Sequence, residues 1–127
     1  IKKGPEKAEK SANTSGQKEA YNRRKHYGKT PISSTRIATF ERDKYICTYC
    51  GRKTNQTTQT TNAGLNPEAD HSPSLKRHYE NEGFKMSYDE RMKWANDIKN
   101  LKTSCRDCNR SKKDKNYPDE WMPNKYS

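Results

Sequence analysis

Four cysteines stand in two C-x-x-C pairs, Cys47-Thr48-Tyr49-Cys50 and Cys105-Arg106-Asp107-Cys108. Two residues between thiols let both sulfurs reach one ion from a single turn, and two such turns complete a tetrahedral sulfur site. Zinc suits four thiolates, being soft enough for sulfur and indifferent to geometry. Gly51, directly after the first pair, fits a tight turn with an unusual backbone angle. Disulfides within each pair would close loops too short to stabilise a fold. A redox C-x-x-C is expected once, on a βαβ background that is absent here. The spacing therefore predicts one structural zinc ion on Cys47, Cys50, Cys105 and Cys108.

Between and after the pairs lie residues able to do chemistry of another kind. Asp70-His71 stands in ADHSP, Asn100 opens NLKTSC, and Asn109 follows the last cysteine in CRDCNRSKK. Taken singly, each has an ordinary reading: Asp70 and Asn109 as helix caps, His71 as a loop residue.

Taken in order, C-x-x-C, D-H-x-P, N-L and C-x-x-C-N-x-x-K resemble the HNH nuclease family, and more closely its zinc-stapled branch of the endonuclease VII type. The similarity runs over roughly residues 36–115, including the lead-in RIATFERDKYICTYCG. The resemblance implies a ββα-metal (His-Me finger) core in which His71 is the general base and Asn100 holds the loop bearing it. It makes Asp70 and Asn109 ligands of a catalytic Mg²⁺ or Mn²⁺, with Lys112 at phosphate. Arg110, Lys113 and Arg77 are further candidates for phosphate or DNA contact. Products with 5′-phosphate and 3′-hydroxyl ends are implied as well. The chemistry is consistent with these roles. An imidazole with an ordinary pKa of about 6.5 can accept a proton from attacking water at neutral pH. A carboxylate with an amide oxygen is a hard donor set that suits Mg²⁺.

The chain departs from the family in one respect. Between Asp70 and Asn109 lie 38 residues, more than a compact hairpin needs. The excess, 74–99, is an expected helical insertion rich in cations and aromatics, among them Arg77, His78, Arg91 and Trp94. It reads either as a DNA-gripping element or as padding for the core. His78 is then a phosphate donor or a surface helix residue, and His26 lies in a basic arm away from catalysis.

The elements that must position these residues are short. Ser33 or Ser34 can cap a helix carrying Ile37 and Phe40, and Tyr45-Ile46-Cys47 reads as a strand entering the turn at Gly51. Residues 53–69 read as a long polar loop, functional or mobile. A helix is expected over 74–82, ending at Gly83. Ser87 and Glu90 form a capping box ahead of a face made by Tyr88, Met92, Ala95 and Ile98. A last helix spans Cys105 to about Lys115, and Tyr117, Trp121, Met122 and Tyr126 of the tail are expected to fold back over the core.

Composition sets the frame for all of this. The 127 residues carry 27 Lys+Arg against 16 Asp+Glu, a net charge of +11. Mean hydropathy is −1.55. Ile, Leu and Phe together number ten and valine is absent. Such a chain cannot rest on a large apolar core. Residues 1–34, with nine Lys/Arg and three Glu, read as a flexible basic arm, although Tyr21 to Lys29 (YNRRKHYGK) is a mixture suited to phosphates and base faces. No stretch approaches the roughly 20 apolar residues of a membrane span, and residues 1–20 lack the apolar run of a signal peptide.

The expected fold is thus a small α+β, zinc-stabilised domain over 35–127 behind a disordered arm over 1–34. The expected activity is metal-dependent endonucleolytic cleavage of DNA, double-stranded and with low sequence specificity, at strong salt dependence. The alternatives are a non-catalytic zinc-ribbon module that binds nucleic acid, or an RNase on the same scaffold. The D-H-x-P-S form and a first residue that is Ile1 rather than Met look like the C-terminal module of a larger bacterial polymorphic toxin, acting in the target-cell cytoplasm and met by an acidic immunity protein. A cytoplasmic phage or restriction-type HNH nuclease is the other setting.

Overall fold

A computed structural model describes residues 18–123, so Tyr126 and the first half of the expected basic arm lie outside the described residues. The chain forms α1 (Arg23–Tyr27), α2 (Ser33–Arg42), β1 (Pro67–His71), α3 (Leu75–Asn81), α4 (Tyr88–Ala95), β2 (Leu101–Cys105) and α5 (Arg106–Lys112). β1 and β2 pair antiparallel, with Asp70 opposite Lys102 and His71 opposite Leu101. The expected long insertion therefore leaves the strand pairing intact: it leaves the sheet after His71 and returns at Leu101.

Local signals account for the later helices, whereas α2 starts at Ser33 behind Ile32 with no side-chain cap, so the expected Ser33 or Ser34 cap is not made because both serines lie inside the helix. Ser74 Oγ accepts from Arg77 N at the start of α3, and the Ser87–Glu90 capping box starts α4 as the sequence predicts. Cys105 caps α5 through its sulfur, which accepts from Cys108 N. The Tyr45–Cys47 strand is reduced to a single bridge, Ile46 to Lys53. The polar loop is organised by the buried Asn66, whose Oδ1 accepts from Asn55 Nδ2 and Gln59 N and whose Nδ2 donates to Gln59 O.

Two small apolar clusters replace one core. The first joins Cys47, Tyr49, Cys105, Cys108 and Trp121. Trp121 also donates to Ser111 Oγ at 2.9 Å, so it folds back as expected, with the partly exposed Tyr117 ring against it. Met122, expected over the core as well, is exposed, because Trp121 beside it takes the inward position. The second joins Tyr27, Leu75, Tyr79 and Ala95.

That second cluster corrects the expectation for residues 18–34. Rather than a disordered arm, they supply α1 and its buried Tyr27 and His26, packed on α3 and α4. The sequence signal was weak because the burying residues are amphipathic tyrosines and histidines in a basic background. Arg91, in the insertion that reads either as a DNA-gripping element or as padding, is buried. Its Nε donates to His26 O and its Nη1 to Met86 O and Gly83 O, joining α4 to α1. His78 is neither a phosphate donor nor a surface residue: it is buried, stacked on Trp94 at 3.7 Å and bonded through Nδ1 to the Tyr27 hydroxyl.

Candidate active site and cysteine cluster

The four cysteine sulfurs lie within 4.8 Å of one another. Both C-x-x-C turns fold alike, with Cys50 N directed at Cys47 Sγ and Cys108 N at Cys105 Sγ, at 3.5 and 3.4 Å. Backbone N–H groups aimed at sulfur stabilise the thiolate. Gly51 has φ of +79°, the left-handed angle that closes the first turn. Arg52 adds a charged donor, 3.4 Å from both Cys50 Sγ and Cys105 Sγ. Hydrogen bonding from Cys105 and from the backbone holds the Cys47 thiol low, while the Cys105 thiol is raised by that same bond and by burial, and burial raises Cys108. Four crowded sulfurs cannot all ionise by themselves. A divalent cation removes that conflict, so the donor set fits a tetrahedral zinc ion.

The cluster fixes the parts of a second site. Tyr49, inside the first C-x-x-C, donates its hydroxyl to Asp70 Oδ2 at 2.5 Å. Asn109 follows Cys108 on α5, and its Nδ2 donates to Glu68 Oε1 at 2.7 Å. Glu68 and Asp70 are two apart on β1 and so share a face. Thus the cysteine cluster sets both the strand and the helix that carry Asp70 and Asn109. Tyr49 and Glu68 were not singled out from the sequence. Their positions, within a C-x-x-C and two residues before Asp70, were the available signals.

Asp70, His71 and Asn109 line one open cleft of about 390 Å³, with Arg23, Lys76 and Lys113 also on its walls. Asp114 lies there too, 3.8 Å from Lys76. His71 is buried, with Nε2 2.9 Å from the Ala95 carbonyl oxygen. A carbonyl only accepts, so Nε2 carries the proton and Nδ1 the lone pair. Nδ1 has no hydrogen bond among the described residues. Burial pushes the His71 pKa down to about 4, opposed by the Ala95 bond and assisted by the Arg23 charge, so the ring is neutral at pH 7. Trp94 stacks beside it, ring centroids 5.8 Å apart.

Asn100 acts on this histidine through the chain. Its carbonyl accepts from Ser72 N at 2.9 Å, and its Nδ2 donates to Trp94 O at 3.0 Å, next to the Ala95 carbonyl that holds His71. The insertion is therefore part of the site: the end of α4 supplies the acceptor that sets the His71 tautomer. The sequence gives no direct signal for a backbone acceptor 24 residues away.

The expected cation contacts divide. Arg110 and Lys113 are exposed on and just after α5. Lys112 is not at the surface. It is buried, with Nζ 3.0 Å from Asp70 Oδ2, so its charge is spent on that carboxylate rather than on an incoming phosphate. Arg77 is also engaged, donating to Asp114 O at 2.8 Å and pairing with Glu120 at 2.6 Å. Burial raises the Asp70 pKa above the ordinary range, against the downward pull of Lys112 and Tyr49.

No family model matches this sequence, and no curated protein or solved structure matches it. Among the described residues no helix is long and apolar enough to cross a membrane.

Proposed function

We propose that the cleft hydrolyses phosphodiester bonds in DNA with the aid of a divalent cation, as an HNH-type ββα-metal site braced by a structural zinc ion. The observation that carries this reading is the convergence of Asp70, His71 and Asn109 on one cleft walled by cations, with His71 held through Nε2. In this reading the order β1, β2, α5 supplies the ββα unit, interrupted by the helical insertion.

His71 Nδ1 is the proton acceptor. Its neutral state and fixed tautomer suit removal of a proton from attacking water. A phosphate entering the cleft offsets the Arg23 charge beside the ring, which raises the basicity of Nδ1 when substrate is present. Asn100 keeps the histidine loop and the Trp94–Ala95 turn in register, and Lys113 and Arg23 attract the phosphate.

Asp70 and Asn109 would hold the catalytic cation. Both side-chain contacts of Asp70 fall on Oδ2, and the only side-chain hydrogen bond of Asn109 among the described residues is through Nδ2, so one hard oxygen of each, Oδ1, is left. Mg²⁺ takes one or two protein oxygens and completes its shell with water. When bound, such an ion neutralises charge on the phosphate and on the leaving oxygen. Lys112 on Asp70 Oδ2 weakens that carboxylate for a cation. This one contact favours a second reading, a zinc-braced module that binds nucleic acid without cutting it.

One experiment decides. Supercoiled plasmid is incubated with the protein in Mg²⁺, Mn²⁺ or Ni²⁺, with an RNA transcript in parallel. The hydrolase reading expects nicking that His71→Ala lowers by about 10²–10⁴-fold, with zinc content and circular dichroism unchanged. DNA left intact in all three ions leaves the binding module as the reading, and cleavage of RNA alone makes the enzyme a ribonuclease.

A further inference from the structure

The basic segment Tyr21 to Lys29 lends the cleft only Tyr21 and Arg23 on its wall. Its fold gives it a further role. Arg23, Arg24, Gly28, Lys29, Thr30 and Pro31 line a second open cavity of about 470 Å³. Three of the six are cationic and none is acidic. Arg23 lines both this cavity and the cleft of Asp70 and His71, so the two are neighbours.

The cavity is built on a fixed frame rather than on a loose arm. Tyr27 and His26 are buried beneath it, and Arg91 bonds the His26 carbonyl at 2.7 Å. Arg23 Nη2 donates to Thr30 O at 2.6 Å, and Thr30 Oγ1 to Tyr27 O at 2.9 Å, which closes the turn on the helix. Gly28, with φ of +56°, lies where an added Cβ would be 2.6 Å from the Tyr88 hydroxyl. The cations differ in their commitments. Lys25 pairs with Glu19 at 3.0 Å. Arg24 and Lys29 are exposed and have no ion pair among the described residues.

We propose that this cavity is a phosphate subsite, in which Arg24 and Lys29 bind the backbone phosphate next to the one placed in the cleft, with Arg23 between the two. The ligand class is a nucleic acid strand carrying at least two consecutive phosphates. The inference rests on the reading of the cleft as a phosphodiester site and names how the substrate strand lies across it. An exposed pair of cations without an acidic neighbour keeps its charge available to an incoming anion, and a polyanion in the cleft presents a phosphate at each nucleotide and releases its counterions when they bind it.

Binding is measured on the full chain carrying His71→Ala, so that no cleavage intervenes, with a fluorescein-labelled DNA duplex and no added divalent ion. The comparison is between Arg24→Gln/Lys29→Gln and Lys44→Gln/Lys53→Gln, which removes the same charge from exposed positions near the first cysteine turn. The subsite pair is expected to weaken binding about tenfold or more, and to reduce the slope of log K against log salt by about 2, since each lost phosphate contact removes about 0.9. The remote pair is expected to reduce that slope by less than 1. Arg24→Lys/Lys29→Arg, which keeps the charge, is expected to keep the slope. Equal losses from both pairs would mean a diffuse charge effect and would overturn the subsite, as would unchanged DNA binding in Arg24→Gln/Lys29→Gln. Because binding is read without cleavage, a protein that fails to cut plasmid yet shows the selective loss refutes the hydrolase and not the subsite.

Discussion

Lys112 Nζ and Asp70 Oδ2 form an ion pair 3.0 Å apart, and both side chains are almost entirely buried. Tyr49 adds its hydroxyl to the same oxygen. A buried pair contributes little net stability, but removal of one partner strands the other charge, at about 3–5 kcal/mol. Lys112→Met is therefore expected to destabilise the fold by about 3 kcal/mol at pH 7 in urea denaturation. The loss shrinks at pH 5, because Asp70, already raised by burial, takes up a proton once its cation is gone. Adding Asp70→Asn to Lys112→Met is expected to restore most of the stability. A double variant no better than the single one would show that Lys112 acts through packing on Tyr49, whose ring lies 5.7 Å from Nζ.

Zinc removal tests the cysteine cluster. The first apolar cluster consists largely of the four cysteines with Tyr49 and Trp121, so beside the Tyr49–Asp70 and Thr48 N–Thr103 O hydrogen bonds little other apolar surface holds the β1–β2–α5 unit to the first C-x-x-C turn. Metal binding free energy is then folding free energy, on the order of ten kcal/mol. Chelation, or Cys108→Ser, is expected to abolish the cooperative unfolding transition and to release one zinc per chain. A metal-free protein that still unfolds cooperatively would remove the ion from the account of stability.

The cysteine cluster and the start of α4 were legible in the sequence, because the C-x-x-C spacing and the Ser87–Glu90 box are local rules that tertiary context does not override. The placement of Asp70, His71 and Asn109 in one cleft was legible through their order along the chain. What was not legible depended on contacts remote in sequence. Tyr27 and His26 looked like parts of a basic tail until α3 and α4 covered them. Lys112 and Arg77 looked like free cations, as surface lysines and arginines usually are, until Asp70 and Glu120 claimed them. The Ala95 carbonyl that orients His71 has no side-chain signature at all.

Acid should destabilise the protein through its buried histidines. Burial lowers the His78 pKa from its ordinary value to about 4, and does the same to His71. The unfolded chain binds those protons near pH 6.5 and the native state only near pH 4, so stability is full above pH 6.5 and falls as pH drops toward 4. Each histidine contributes a loss of about 2 kcal/mol between pH 7 and pH 5. Asp70, with a raised pKa, works in the opposite sense, so a variant is needed to isolate the effect. His78→Phe keeps a ring against Trp94 and is expected to flatten the dependence of stability on pH between 5 and 6.5 by about one proton. A slope equal to that of wild type would show that His78 is protonated in the native protein.

Gly28 is the residue that shapes the turn under Arg24 and Lys29. Its φ of 56° and ψ of −143° lie in a region that side-chain-bearing residues rarely occupy, and such conformations cost about 1–3 kcal/mol. The Tyr88 hydroxyl, 2.6 Å from where a Cβ would stand, adds a steric conflict. Gly28→Ala is therefore expected to lower stability by about 2 kcal/mol or more, measured by thermal and urea unfolding. Tyr88→Phe removes the hydroxyl and so relieves the contact, but it leaves the backbone conformation as it was. In that background the cost of Gly28→Ala is expected to fall without vanishing. A full recovery would assign the whole cost to Tyr88, and a Gly28→Ala variant as stable as wild type would show that the turn can adopt another conformation. Because Arg23 reaches Thr30 O across this turn, the same substitution is expected to weaken DNA binding together with stability, whereas Arg24→Gln/Lys29→Gln weakens binding alone.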